Sequence, residues 1–311
     1  MEKKPVDVIV PIYNEEACLS EMQRRLSALR SDMNPTYDLR VIYVDDGSSD
    51  TSRDILKKFA SQNNWVKTVL LTRNFGHQIA VTAGLEQSTG DFVAIIDGDL
   101  QDPPELISPM LSSLVQSGCH VVFGQRESRV GETKFKTLTA KAFYKFIRKI
   151  SAVDIPLDTG DLRVMDAKAR DVMIAMPEKN RFLRGMIPWT GLKSQSFMYQ
   201  RESRYSGTTK YSMKHMLILA SNAVVSFSIT PLRAIQLIGL LLTATASAAT
   251  IGVLIAVLSG SHPSALLLMT IFQSVLTGIV LSAVGILGGY LHRIQDEVRH
   301  RPLYLVEEIT N

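Results

Sequence analysis

Two carboxylates separated by a single glycine, Asp97-Gly98-Asp99, follow the apolar run Phe92-Val93-Ala94-Ile95-Ile96. Acidic side chains at the end of a buried strand can converge on one divalent cation only where the chain turns, and Gly98 permits a turn. Hard carboxylate oxygens suit Mg²⁺ or Mn²⁺, which would bridge a diphosphate and neutralise charge on a departing group. An Asp-x-Asp alone is more often a solvated turn than a metal site. Here the string continues through Leu100-Gln101-Asp102-Pro103-Pro104-Glu105, which is far more specific. A second acidic turn, Asp45-Asp46-Gly47-Ser48, ends the run Val41-Ile42-Tyr43-Val44. A carboxylate there could accept a hydrogen bond from a base N–H or a ribose hydroxyl, whereas Ser48, Ser49 and Asp50 read better as a helix cap. Pro11-Ile12-Tyr13-Asn14-Glu15 closes the first apolar run. A tyrosine beside a glutamate could stack on a base and bind a ribose, although by itself the segment reads as a turn and a helix start.

These motifs sit where alternating elements would place them. Apolar runs at 6–11, 41–44, 66–71 and 92–96 predict strands. Stretches at 15–30, 50–59 and 76–87, with a start at Pro103-Pro104-Glu105, predict helices between or after them. Strands separated by single helices imply parallel neighbours in a sheet covered on both faces, an α/β fold. Ligands of such sheets bind beyond the carboxyl ends of the strands, where both acidic turns lie. From Val121 the pattern loosens. Residues 134–150 predict an amphipathic helix, Gly160-Asp161-Leu162-Arg163 a turn, 167–176 a helix, and 193–199 a strand.

No Lys, Arg, Asp or Glu occurs from Ala234 to Leu291. Segments 234–258 and 265–291 each exceed the roughly 20 residues that cross a bilayer core, with the polar turn Ser259–Ser264 between them. A buried hairpin in a soluble all-α domain is the poorer account of so long a charge-free stretch. The net charge is +4 and the pI near 9.0. The basic residues gather at 201–214 and 293–301, flanking the apolar region, which fits anionic lipid and a hairpin with both ends in the cytoplasm better than a nucleic-acid stripe. The first residues lack a signal peptide's apolar core. The expected organisation is a cytoplasmic catalytic domain at 1–208, an amphipathic interface helix at 209–230, two transmembrane helices within 231–292, and a cytoplasmic tail at 293–311. Cys18 and Cys119 have no metal-site spacing and read as reduced, buried thiols.

The segments Val8–Glu16, Val44–Ser48, Arg73-Asn74-Phe75-Gly76 and Asp97–Glu105 resemble family-2 glycosyltransferases with the GT-A (Rossmann-like) fold. Thr159–Arg163, Arg181-Phe182-Leu183-Arg184-Gly185, Arg201–Tyr211 and Arg301-Pro302-Leu303-Tyr304 are similar to the polyprenyl-phosphate branch, above all bactoprenol (undecaprenyl-phosphate) glucosyltransferases, with dolichyl-phosphate mannose synthases more distant. The resemblance implies that Pro11, Tyr13, Glu15 and Asp46 hold the nucleoside with Asp45 close by. It implies that Asp97, Asp99 and Gln101 surround the Mg²⁺ or Mn²⁺ and the donor diphosphate, and that Asp161 matches a residue with a catalytic role. Arg126, Arg129, Lys134, Arg201, Arg204 and Lys210 fall in segments that face the acceptor phosphate in the family. For each of them alone, a solvated membrane-surface charge is an equally good account. His77 departs from the pattern, standing after Asn-Phe-Gly where many members carry Lys or Glu, which leaves this position open between the family's contact and an ordinary helix N-terminal residue.

The resemblance further implies an inner (plasma) membrane, multi-pass enzyme with both termini cytoplasmic, a homo-oligomer with a tetramer as one form, and no nucleic-acid partner. Its reaction would be inverting transfer of a sugar, glucose favoured, from a UDP-sugar to undecaprenyl phosphate for cell-envelope glycan modification such as that of lipopolysaccharide. Aminoarabinose, an N-acetylhexosamine or GDP-mannose are alternative donors. A lipid phosphate is already anionic at neutral pH, so it needs positioning and cations more than a general base. Asp161 is therefore expected to orient Arg163 or the acceptor at least as much as to take a proton. A processive polysaccharide synthase would carry a Gln-x-x-Arg-Trp motif, and neither Trp65 nor Trp189 lies in one. An inactive membrane scaffold would have lost an acidic motif, and both are intact.

Overall fold

The computed structural model describes residues 3–126, 159–179, 181–200, 251–252, 255, 258–259 and 265–310. The expected amphipathic helices at 134–150 and 209–230, and most of the first expected span at 234–258, lie outside the described residues. The chain divides into two units, one of Met1–Lys149, Val153–Ile218 and Pro302–Asn311, the other of Ile150–Ala152 and Leu219–Arg301.

The first unit is built on strands β1 (Lys4–Ile12), β2 (Tyr37–Asp45), β3 (Val66–Leu71), β4 (Phe92–Ile95), β5 (Val121–Arg126), β6 (Thr159–Asp166), β7 (Ser194–Tyr199) and β8 (Val306–Thr310). They form one sheet in the order β7-β5-β6-β4-β1-β2-β3-β8. The helices are α1 (Glu16–Met33), α2 (Ser52–Gln62), α3 (His77–Gln87), α4 (Ile107–Ser117), α5 (Ala167–Ala175) and α6 (Leu183–Trp189), with a 3₁₀ turn at Pro104–Leu106. As the alternation of runs predicts, β1 pairs in parallel with β2 and β4, and β2 with β3. β1 shows why these runs are continuous rather than alternating: Val6, Val8, Ile9, Val10 and Ile12 are all buried because helices cover both faces. Val6, Val8 and Val10 pack in one cluster with Leu19, Met22 and Leu26 of α1. Each such side chain contributes about 1.5–3 kcal/mol by leaving water.

Three features differ from the sequence-based expectation. Gly160–Arg163 is not a turn but part of β6, which runs antiparallel to both β4 and β5. Its alternation is disguised because one face carries the buried charges Asp161 and Arg163, while Leu162 and Val164 face the core cluster. The C-terminal segment is not a plain tail: β8 adds antiparallel to β3 and closes that edge of the sheet. Gly98 is set by its close approach to β1 rather than by a positive φ. A Cβ there would lie 2.5 Å from Ile12 Cδ1 and 3.1 Å from the Pro11 carbonyl oxygen.

In the second unit, α7 (Ala265–Val298) is one helix of 34 residues, about 50 Å long at 1.5 Å per residue. Over the residues whose side chains are described, no helix is long and apolar enough to cross a membrane.

Candidate active site

The carboxyl ends of β1, β2 and β4 lie side by side, and the register of β6 completes the site. Ile95 of β4 pairs with Arg163 of β6. Because the strands run in opposite directions, the next residues along β4 and the preceding ones along β6 bring Asp97 opposite Asp161. His77, at the first turn of α3, reaches both: its Nε2 lies 3.2 Å from Asp161 Oδ2 and 3.5 Å from Asp97 Oδ1. Arg184 of α6 donates to Asp161 through Nε at 3.1 Å and Nη2 at 2.9 Å. Arg163 Nη2 donates to Asp161 Oδ1 at 3.2 Å, and its other bonds go to the Gly160 and Asp161 carbonyls.

The charges decide the protonation states. Burial favours the neutral acid at Asp161, but Arg184, His77 and Arg163 outweigh it and hold the carboxyl well below its ordinary range. Burial likewise opposes the His77 imidazolium, but hydrogen bonding to Asp161 and the charges of Asp97 and Asp161 push it up to about 9. Asp97 goes the other way. Burial, joined by the charges of Asp161, Asp102 and Asp99, raises it to about 6 in spite of His77.

The residues present fit a divalent cation. Asp97 Oδ1 is buried and makes no hydrogen bond among the described residues, and the carboxylates crowding it are what a cation would relieve. One ligand atom each from His77, Asp97 and Asp161 lie within 4.8 Å of one another. This set overlaps the expected one of Asp97, Asp99 and Gln101 only at Asp97. With no cation bound, His77 carries the proton and stands as an internal cation beside the two carboxylates. Asp99 Oδ1 accepts from the Gln101 backbone N–H at 3.2 Å, folding the string back over Leu100. Leu100 is buried with a positive φ of 58°, a strained conformation for a side chain of that size.

The residues expected at the nucleoside are tied together by a chain of hydrogen bonds. Asp46 Oδ1 and Oδ2 accept from the backbone N–H groups of Phe75 and Gly76 at 2.7 and 2.9 Å, which fixes the entry into α3 and hence His77. Asp45, fully buried, accepts from Ser48 N–H at 3.2 Å and lies 3.1 Å from Arg53 Nε. Burial raises both carboxyls. Ser48 Oγ accepts from Asn14 N–H at 2.9 Å and Ser52 Oγ from Glu15 N–H at 3.2 Å, so β2's turn also holds the loop that carries Tyr13 and Glu15. Pro11 pairs with Val44 inside the sheet, and Tyr13 is 40% exposed at the rim. Both acidic residues of this turn thus accept from the protein's own N–H groups, Asp45 from Ser48 and Asp46 from Phe75 and Gly76.

Of the basic residues expected at the acceptor, Arg126 lies within the described residues. Its Nε donates to Tyr199 Oη at 3.4 Å, and Tyr199 in turn donates to Asp102 at 2.6 Å. Arg126 Nη2 occupies the space in which a Cβ on Gly160 would lie, 2.9 Å away, so this guanidinium stands beside the strand that carries Asp161. Arg129, Lys134, Arg201, Arg204 and Lys210 lie outside the described residues. Sequence reasoning missed His77 and Arg184 as site residues. The signal for Arg184 was the quoted Arg-Phe-Leu-Arg-Gly string, and for His77 the glycine before a helix start.

The sequence matches the model for Glycosyl transferase family 2 over residues 7–172. It is 39% identical over 302 residues to the uncharacterized glycosyltransferase YkcC of Bacillus subtilis (strain 168), covering 97% of this chain and 93% of that one. It is 32% identical over 306 residues to the bactoprenol glucosyl transferase of Shigella phage SfV, covering 97% and 98%. Among solved structures, mannosyl-3-phosphoglycerate synthase from Rubrobacter xylanophilus superposes with a TM-score of 0.51 at 17% identity, over 71% of this chain and 72% of that one, a likeness of GT-A fold alone. Sheet order, paired acidic strand ends and sequence thus agree that the chain belongs to glycosyl transferase family 2 and is a glycosyltransferase.

Proposed function

We propose that the enzyme transfers a single sugar, glucose in the favoured case, from a UDP-sugar to a polyprenyl phosphate, with inversion at the sugar carbon. The observation that carries this reading is the similarity to bactoprenol glucosyl transferase along 97% of the chain, charge-free stretch included. The nucleoside lies against Tyr13 and Glu15, and the diphosphate against Asp97, Asp99 and Gln101. A bound Mg²⁺ or Mn²⁺ would supply charge neutralisation for the departing diphosphate. Asp161, ionised and held by two arginines, fixes Arg184 and Arg163 at the site. Arg126 and the basic residues at 201–210 attract and orient the anionic acceptor, which attacks directly. No residue of the site suggests a covalent glycosyl-enzyme.

The acceptor's apolar tail requires a bilayer, and the segments 234–258 and 265–291 form the membrane hairpin of this proposal, with the catalytic unit in the cytoplasm. A reporter after Asn311 then reads cytoplasmic, and a tag at Ser261 is accessible from the other side. A tag at Ser261 that stays protected in intact spheroplasts would sink the hairpin. The reaction itself is tested by incubating the purified enzyme and undecaprenyl phosphate with a panel of UDP- and GDP-sugars and weighing the lipid product by mass spectrometry. A glucosylated lipid is the expected result, another sugar reassigns the donor, and no glycolipid from any donor overturns the reading.

A further inference from the structure

The strand β8 follows α7 in the chain, yet it is stitched into the opposite end of the catalytic unit from β7. Beyond its ladder with β3, the Leu305 carbonyl accepts from Thr72 N–H at 3.0 Å and Tyr304 Oη donates to Glu86 of α3. Two ion pairs join the strand to α2. Lys57 pairs with Glu308 at 2.6 Å, on the surface. Arg53 pairs with Glu307 at 2.8 Å, and this second pair differs in what lies behind it. The same guanidinium donates to the Leu71 carbonyl at 3.1 Å, and its Nε stands 3.1 Å from Asp45 Oδ2.

Asp45 is wholly buried, and an ionised buried carboxylate needs compensation. Among the described residues, Arg53 is the cation beside it. Arg53 is in turn oriented by two acceptors of its Nη2, the Leu71 carbonyl and Glu307 of the C-terminal strand. The next links are already established: Asp45 accepts from Ser48 N–H, Ser48 Oγ accepts from Asn14 N–H, and Asn14 separates Tyr13 from Glu15. A guanidinium can serve acceptors on separate sides because its donors are fixed in a planar fork, whereas an ammonium cannot keep the same set.

We propose that Arg53 and Glu307 are positioning residues through which the C-terminal strand sets the shape of the nucleoside end of the site. The idea rests on the reading above for its ligand, but the mechanical coupling stands on the contacts alone. Glu307 does not touch the donor. It holds Arg53, Arg53 holds the Asp45 turn, and the turn holds the loop of Tyr13 and Glu15. Removing Glu307's charge therefore loosens donor binding and leaves acceptor binding as it was.

The test uses the full-length enzyme with Glu307→Gln and Arg53→Lys, and with Glu308→Gln as the control on the same strand. Calorimetry measures binding of the UDP- or GDP-sugar that the wild type takes best from a panel, and steady-state kinetics separates KM for donor, KM for polyprenyl phosphate and kcat. We expect the donor Kd and KM to rise at least threefold in Glu307→Gln and at least tenfold in Arg53→Lys. Acceptor KM stays unchanged, as do all constants in Glu308→Gln. Without any ligand, hydrogen exchange at the Asn14 and Ser48 amides accelerates in Glu307→Gln and not in Glu308→Gln. Unchanged exchange at these amides overturns the coupling whatever the enzyme binds. Accelerated exchange with unchanged donor constants overturns the positioning role. A wild type that binds no nucleotide-sugar overturns the proposed function instead, leaving exchange to judge the coupling.

Discussion

Arg184 grips Asp161 with both nitrogens of one edge, Nε at 3.1 Å and Nη2 at 2.9 Å, so the carboxylate at the centre of the site is committed before any substrate arrives. Such bidentate pairs are strong and directional. With Arg163 and His77 adding to the hold, Asp161 stays ionised far below neutrality and makes a poor proton acceptor. In the proposed reaction its work is to keep Arg163 and Arg184 in place beside the phosphates.

That assignment separates two outcomes for Asp161→Asn. Loss of the anion should lower kcat by at least about 100-fold, the scale on which electrostatic site groups act. The wild-type transfer step should nevertheless show a solvent deuterium isotope effect close to unity, because the acceptor phosphate arrives already ionised. A large normal isotope effect in single-turnover measurements would return Asp161 to the role of base.

His77 offers a second discrimination. Its imidazolium, held at about 9 by two carboxylates, separates Asp97 from Asp161 as a cation. His77→Lys keeps a cation and should retain activity within about tenfold, whereas His77→Ala leaves the buried Asp161 and the partly buried Asp97 without the cation between them and should lose about 100-fold or more. Chelator should silence the wild type and Mg²⁺ or Mn²⁺ restore it, with Asp99→Asn inactive under all conditions. If His77 were a metal ligand, His77→Lys would be as dead as His77→Ala and excess metal would partly rescue the alanine variant.

Much of this site could be read from the sequence because its residues sit at strand ends, where an apolar run stops abruptly at acidic and glycine residues. Asp45, Asp46, Asp97 and Asp99 were legible for that reason, and so were the strands that carry them. β6 was not, because Asp161 and Arg163 neutralise each other inside the fold, and two charges in a row of alternating positions look like a turn when their partners are unknown. His77 and Arg184 gain their meaning from the same distant carboxylate, separated from them by 84 and 23 residues in sequence. β8 has no run of buried apolar residues to announce it. Val306 and Ile309 are half-exposed at the sheet edge, and the strand is held by its ladder and by Glu307 and Glu308.

Gly47, in the turn that follows β2, should be intolerant of any side chain. Its φ is +69°, and a Cβ would stand 2.3 Å from the Arg73 carbonyl carbon and 2.5 Å from Asn74 N, backbone atoms that cannot swing aside. Gly47→Ala should therefore destabilise the fold by about 2–4 kcal/mol, combining the left-handed strain with the clash. It should also loosen the Asp46 clamp on Phe75 and Gly76. Thermal unfolding of the purified protein measures the first effect, and an unshifted midpoint would contradict the close approach of the two loops.

The acceptor is the part of the proposal on which physics bears most directly. The polyprenyl tail stays in the bilayer, so its phosphate lies near headgroup level, and cations of the protein must bring it to the donor carbon. Basic side chains near a membrane attract anionic headgroups in general, each contributing about 1 kcal/mol. A specific clamp behaves differently from that diffuse attraction. Arg204→Ala should raise KM for polyprenyl phosphate or lower the transfer rate at least about tenfold, roughly 1.4 kcal/mol, while donor binding barely changes. Arg204→Lys should restore only part of the loss, because lysine lacks the paired donors that match a phosphate. Measured with detergent-solubilised acceptor, where surface attraction no longer contributes, the difference isolates the clamp. Normal transfer by Arg204→Ala under those conditions would make this arginine a surface charge and move the clamp to Arg126, whose guanidinium already stands against Gly160 beside Asp161.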